Sequence, residues 1–367
     1  MRNPERAKLI RWFLAVSTFL FILALQIPSA LPNQAQDQGQ STPVRSTPIS
    51  LAANPSPVTA VNSIGMTVAD MDRSIAFYSN VLSFKKVSDV EVLGTEYEQL
   101  QGIFGVRMRV VKMQLGQEEI ELTEYMTPKG KPFPLETRSN DHWFQHIAIV
   151  TPDMDRAYQH LRKFKVQYAS TAPQTLPAWN KAAGGIRAFY FRDPDGHYLE
   201  AISFPADKGN AKWQQPTRQL FLGIDHTAIV VSSTDQSLKF YRDLLGFNVT
   251  GESINYGIEQ EHLNNVKGAR LHITGLKSPV GPGIEFLEYL QPQDGKPFPP
   301  DAQPNDLLHW QTTLVVKDVN TLAQQLRNYQ IAFISAKVVT MPAKSLGFAK
   351  GLLVRDPDGH AIRVVEK

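Results

Sequence analysis

The chain of 367 residues contains no cysteine. Disulfides, thiolate metal ligands and a cysteine nucleophile are therefore excluded. Any transition metal must be held by His, Asp, Glu or Gln, donors that suit Mn, Fe, Ni, Co or Zn without choosing among them. Excess charge is also scarce: 38 Lys and Arg stand against 35 Asp and Glu, with no long basic run and no basic stripe interleaved with aromatics. No nucleic acid is expected as a partner. Neither a glycine-rich phosphate loop nor a Ser-His-Asp grouping is apparent. What remains is 42% apolar and 20% charged, a soluble globular composition, in a chain long enough for two ordinary domains.

The first residues read differently from the rest. Arg2, Arg6, Lys8 and Arg11 precede the uncharged stretch Trp12 to Ile27, the basic-then-apolar layout of an export signal. The stretch is at the upper limit for a signal core and short for a membrane span, and Pro28 sits where a cleavage site takes a small residue. A signal peptide over 1–30 and an uncleaved anchor both stay open. Residues 31–57, rich in Gln, Ser, Pro and Asn, read as a disordered tether. The expectation is an exported protein, periplasmic or extracellular, that touches a membrane only through its amino-terminal segment.

The folded part is organised around Arg192-Asp193-Pro194-Asp195-Gly196-His197-Tyr198-Leu199-Glu200. Asp-Pro-Asp-Gly has the preferences of a tight reversal between strands. The following alternation puts Tyr198, Glu200 and Ile202 on one strand face, where a carboxylate is costly unless paired or metal-bound. The turn recurs at Arg355-Asp356-Pro357-Asp358-Gly359-His360, with Arg363 in the place of Glu200. Ser74 to Phe84 matches Ser237 to Phe247, and Gly130-Lys131-Pro132-Phe133-Pro134 matches Gly295-Lys296-Pro297-Phe298-Pro299. One half is a copy of the other. Each half divides again, because strand, helix and three strand-like runs recur within it, with helices expected at about Asp72–Leu82 and Asp153–Phe164. The predicted fold class is α+β: four βαβββ modules at 58–128, 141–205, 221–291 and 306–367, grouped as domains 58–205 and 221–367.

Paired modules of this kind, with a His near the start of a first strand and a Glu on a last strand after Asp-Pro-Asp-Gly, resemble the vicinal oxygen chelate superfamily. That group contains glyoxalase I, the extradiol dioxygenases and the bleomycin-resistance proteins, and the resemblance covers about 58–367. It implies cupped sheets, each cup built from two modules around one metal. Carried over residue by residue, it offers Ser63 and Glu121 from module one, His146 and Glu200 from two, His226 and Glu285 from three, and Gln311 and Arg363 from four. If neighbouring modules pair, both sets are incomplete. If two pairs with three and one with four, His146, Glu200, His226 and Glu285 form a two-His, two-Glu set. Glu121 then faces Arg363 in a metal-free relic. The second pairing is the one expected.

The function this implies is an exported metal-dependent enzyme of the glyoxalase or dioxygenase type, acting on a small molecule with adjacent oxygens. One divalent ion would act as a Lewis acid, with Glu200 first choice as base and Glu285 facing it. Glyoxalase I activity itself is disfavoured, since its glutathione adduct is made in the cytosol. A metal-free binding or resistance protein is the rival. A lone strand histidine is ordinarily structural, and several are read so here. His197 and His360 belong to the turns, His142, His160, His262 and His309 to surface or linkers, and His272 to the cavity or the core. Arg109 and Arg270 are read as matching anion contacts or edge caps, and the Gly-Lys-Pro-Phe-Pro loops as stitches between modules. Substrate, metal identity and oligomeric state are not legible.

Overall fold

The computed structural model describes residues 57–342 and 344–367. The expected export segment and nearly all of the tether lie outside the described residues. Among the described residues, no helix is long and apolar enough to cross a membrane.

Alternating apolar residues make β1 (Val58–Thr67), in which Ile64 and Met66 are fully buried. Asp70 then caps α1 (Met71–Asn80), its carboxylate accepting the Arg73 amide. β2 (Lys85–Leu93), α2 (Thr95–Gln101), β3 (Arg107–Leu115) and β4 (Glu118–Thr127) complete the first module. The second runs β5 (Gln145–Val150), α3 (Met154–Lys163), β6 (Gln167–Tyr168), β7 (Gln174–Thr175), β8 (Arg187–Arg192) and β9 (Tyr198–Ser203). The third runs β10 (Ile224–Val230), α4 (Thr234–Leu238) continued by a π-helical turn (Lys239–Leu244), β11 (Asn248–Asn255), α5 (Ile258–Asn264), β12 (Arg270–Lys277) and β13 (Gly283–Gln291). The fourth runs β14 (Trp310–Val316), α6 (Val319–Asn328), β15 (Val339–Thr340), β16 (Lys350–Arg355) and β17 (Ala361–Glu366). The same N-cap recurs four times: Asp70, Asp153, Ser233 and Asp318 each hold a backbone amide of the first helical turn.

These strands form two mixed sheets. One has the order β15-β16-β17-β14-β1-β4-β3-β2; the other runs β11-β12-β13-β10-β5-β9-β8-β6, with β7 also on β8. Within each module the first and last strands are parallel neighbours. Two modules join where their first strands run antiparallel, β1 to β14 and β5 to β10. Modules one and four therefore share one sheet, and two and three share the other. Sequence neighbours meet instead through their helical layers. Ile64, Tyr78 and Leu82 of module one lie in one apolar cluster with Ile147, Leu161 and Phe189 of module two. A matching cluster joins Phe240 and Phe286 of module three to Leu322 and Val364 of module four.

The Asp-Pro-Asp-Gly turns pin those contacts. Asp193 accepts the His197 and Asp195 amides and the Tyr78 hydroxyl, and Asp356 accepts the Tyr241 hydroxyl at 2.9 Å. The Gly-Lys-Pro-Phe-Pro loops do stitch modules together. The Lys131 amide donates to Asp306 and the Lys296 amide to Asp141, while Phe133 and Phe298 lie edge-on to His197 and His360. Glycine is required in both loops. A Cβ on Gly130 would sit 2.1 Å from the Asn305 carbonyl oxygen, and one on Gly295 1.9 Å from that of Asn140. Two helices escape the sequence pattern, α2 and α5. At seven residues each they are too short for a clear helical period. Their apolar residues, Tyr97 and Leu100 or Leu263, turn into the cups.

Candidate metal centre

The register between β5 and β10 sets His146 opposite Ala228 and His226 opposite Ala148. Two residues apart across an antiparallel pair, the imidazoles share one face, their ring centroids 5.8 Å apart. β9 runs parallel outside β5 and brings Glu200 beside Ala148; β13 runs parallel outside β10 and brings Glu285 beside Ala228. Each histidine is thus flanked by a carboxylate from its own module, and the seam between modules brings the sets together.

His146 Nε2 lies 3.1 Å from Glu200 Oε2, and His226 Nε2 lies 3.7 Å from the same oxygen and 3.5 Å from Glu285 Oε2. Donor atoms of His146, Glu200 and His226 all lie within 4.8 Å of one another. Metal–ligand bonds of about 2.0–2.2 Å imply donor spacings of roughly 3 Å for cis and 4.2 Å for trans positions. His226 Nε2 is buried with no hydrogen-bond partner. Its other nitrogen is held by Asp225 Oδ2 at 3.1 Å, and Asp225 in turn accepts the Trp213 indole N–H at 2.7 Å. That carboxylate fixes the ring with Nε2 facing Glu200 and Glu285. Glu285, the fourth residue expected, is not part of that convergent group and approaches only the His226 side of it. Two imidazoles, the Glu200 carboxylate and a buried, unsatisfied nitrogen fit a divalent ion, with Glu285 beside them.

The electrostatics agree. Burial works against protonated His226, but Glu285, Asp225 and Glu200 outweigh it and lift its pKa to about 9. His146 moves the other way, held neutral by burial against the opposing pull of Glu200. Burial also raises the Glu285 carboxyl, with His226 opposing and Glu200 reinforcing the shift. Cation demand is therefore concentrated between His226 and the two glutamates.

The equivalent point in the other sheet carries its own cation. Arg363 Nη1 and Nη2 donate to Glu121 at 2.6 and 2.9 Å, and its Nε donates to Thr313. Gln311 reaches the same carboxylate at 3.5 Å, and Ser63 is buried beside this set with its hydroxyl unpartnered. The pair is almost wholly buried, with side chains 2% and 1% exposed. No His pair exists there, and the guanidinium fills the place that Glu200 has in the first cup.

Several expectations for other residues need correction. His309 does lie in the linker before β14 but is not at the surface: it is buried against Gln311 at 3.4 Å. His160 is half-buried and bonded to the Val81 carbonyl, and His142 is half-buried too; only His262 is exposed. His272 faces away from the centre. It pairs in register with Glu288, on the sheet face opposite Glu285, between Glu252 and Glu288. Arg107, not Arg109, is the counterpart of Arg270, as the registers with Thr127 and Gln291 show. Arg109 is occupied by Asp89 and Asp72. Asp193, Asp195 and His197 also converge within 4.8 Å, but this group is saturated by backbone amides, Tyr78, Ser74 and Arg73.

Two residues of the centre went unread in the sequence. Asp225 precedes a candidate ligand and looks like any exposed turn acid. Tyr190 sits opposite Glu200 on β8, its ring centroid 4.9 Å from that of His146. Its position two strands from His146 is set by the sheet order, although its alternation with Ala188 hints at an inward face.

Residues 60–201 and 223–364 each match the profile of the Glyoxalase/Bleomycin resistance protein/Dioxygenase superfamily. Among solved structures, the chain is similar to glyoxalase I from Zea mays, at 15% identity and a TM-score of 0.52, covering 84% of this chain and 92% of that one. A glutamate-to-glutamine mutant of the same maize protein gives 14% identity and a TM-score of 0.54, over 84% and 93% of the two chains. At these identities the likeness is one of fold. An uncharacterised Bacillus subtilis protein, YwbC, is 27% identical over 140 residues, 38% of this chain and 94% of that protein.

Proposed function

The chain belongs to the Glyoxalase/Bleomycin resistance protein/Dioxygenase superfamily, and from that premise we propose that it is a metal-dependent enzyme with a single centre. Its substrate is a small molecule bearing adjacent oxygens. The observation that carries this reading is the convergence of His146, Glu200 and His226 on one point, with His226 Nε2 buried and unsatisfied. His146, Glu200, His226 and Glu285 would hold a divalent ion of the Mn, Fe, Ni, Co or Zn group. When bound, the ion supplies Lewis-acid polarisation of substrate oxygens.

The protein groups divide the remaining work. Glu200 stands between both imidazoles and orients them. Of the two imidazoles Glu285 meets His226, and it keeps 27% of its side chain exposed, with its carboxyl raised by what burial there is. A carboxylate open to an incoming ligand can reach its proton, so the exposure of Glu285 favours it over the more deeply buried Glu200 as base. Asp225 keeps His226 in one tautomer. The basic-then-apolar layout of Arg2 to Ile27 supports work outside the cytoplasm.

Elemental analysis tests the reading. Purified protein is expected to carry one divalent ion per chain, and His146→Ala and His226→Ala to lose more than about nine-tenths of it, since each removes one of few donors. Unaltered metal content in both variants, or none in the parent protein, would leave the metal-free binding protein as the better account.

A further inference from the structure

Because the chain is a repeat, the live cup can be compared with its copy position by position. A groove of about 320 Å³ opens onto His226 and Glu285, walled by Gly209, Asn210, Thr250, Gly275 and Gly283. Gly275 is paired directly with Glu285 across β12 and β13. Its counterpart is Lys112, paired with Glu121 across β3 and β4. Lys112 stands on the same strand face as that carboxylate, and its ammonium donates to the Leu346 carbonyl at 3.1 Å. The two carboxylates differ in exposure: Glu285 keeps 27% of its side chain open, while Glu121, clasped by Arg363, keeps only 1%.

Glycine at 275 is not needed by the backbone. Gly275 is not among the glycines with positive φ. The neighbouring strand bulges beside it between Val249 and Gly251, but the copy bulges in the same way between Lys86 and Ser88 beside Lys112, so the bulge does not demand glycine. A Cβ there would meet Thr250 Oγ1 at 3.1 Å, the end of a movable side chain, and Gly251 O at 3.9 Å. A glycine inside a strand lowers its stability, so one without a conformational duty points to close approach by another molecule. We infer that Gly275 is the access residue of this centre: its missing side chain forms the passage by which a ligand reaches Glu285 and His226. The inference rests on the proposed function for what enters, a small molecule with adjacent oxygens. A passage of this volume is at the small end of ligand sites, so the class is a compact one rather than a peptide conjugate.

The test separates access from metal binding. Metal-free protein is treated with diethyl pyrocarbonate at about pH 9, where His226 is partly neutral and therefore reactive, and carbethoxylation of each histidine is followed by peptide mass spectrometry. Gly275→Leu is expected to slow modification of His226 at least tenfold while exposed His262 reacts at the parent rate; Gly275→Ala should slow it less than threefold. A Gly275→Leu variant with native circular dichroism, in which His226 reacts as in the parent, would overturn the inference whether or not the protein binds metal. In Co²⁺-loaded protein, Gly275→Leu should retain the ion yet bind 4-nitrocatechol at least tenfold more weakly. Unchanged nitrocatechol affinity would likewise count against the passage. Failure of the parent protein to take up Co²⁺ would sink the proposed function and leave the carbethoxylation result standing.

Discussion

At the scale of single residues, the centre is defined by protons as much as by donors. Free His226 titrates at about 9 instead of the ordinary 6.5. A metal must therefore displace a proton below that pH, and apparent affinity should climb with pH, by up to tenfold per unit, between about 6.5 and 9. Competition titrations with a chromophoric chelator at several pH values check this. For the metal-free protein the sign is opposite. A folded pKa above the unfolded one adds stability that is full below about 6.5 and is lost as pH rises through 9, on the order of 3 kcal/mol. Thermal melts of apo protein should show a falling midpoint over that window, and a flat profile would contradict the assignment. Asp225→Asn keeps the shape but weakens the grip on His226 Nδ1. Metal affinity is expected to fall about 10- to 100-fold, measured by the same titration.

Between strands, the second cup carries a guanidinium where the first carries Glu200. Arg363 on β17 reaches Glu121 on β4 across the two central strands β14 and β1. Removing one partner leaves a buried, uncompensated charge, so Arg363→Leu should cost about 3–5 kcal/mol, whereas Glu121→Leu with Arg363→Leu should recover most of the loss. Urea denaturation of the two variants decides it; equal losses would mean that the pair is not the unit. This pair was readable in the sequence, since Arg363 replaces Glu200 at the same step after the same turn. The burial of His309 in its linker was not legible because it depends on where β14 enters the sheet. α2 and α5 were missed because a seven-residue helix carries about two turns of pattern.

The whole molecule is a swap. Each contiguous half contributes one module to each sheet, so residues 58–205 alone would expose the edges of β1 and β5 that β14 and β10 normally cover. Expressed separately, the halves 58–216 and 217–367 should aggregate or self-associate. Coexpressed, they should form a one-to-one complex, which size-exclusion chromatography with light scattering would report. Stable, monomeric, metal-binding single halves would contradict the topology. The sequence by itself determined the repeat, the strand and helix periods, and which modules kept imidazole and carboxylate donors, because those are local patterns. Only the tertiary structure decided that the expected pairing of β5 with β10 and of β1 with β14 forms, that Asp225 turns back onto His226, and that Gly275 lines the groove where the copy has Lys112. Pairing between strands far apart in the chain leaves no local signature. All four modules offer similar first strands, and the choice of partner rests on what each contact buries.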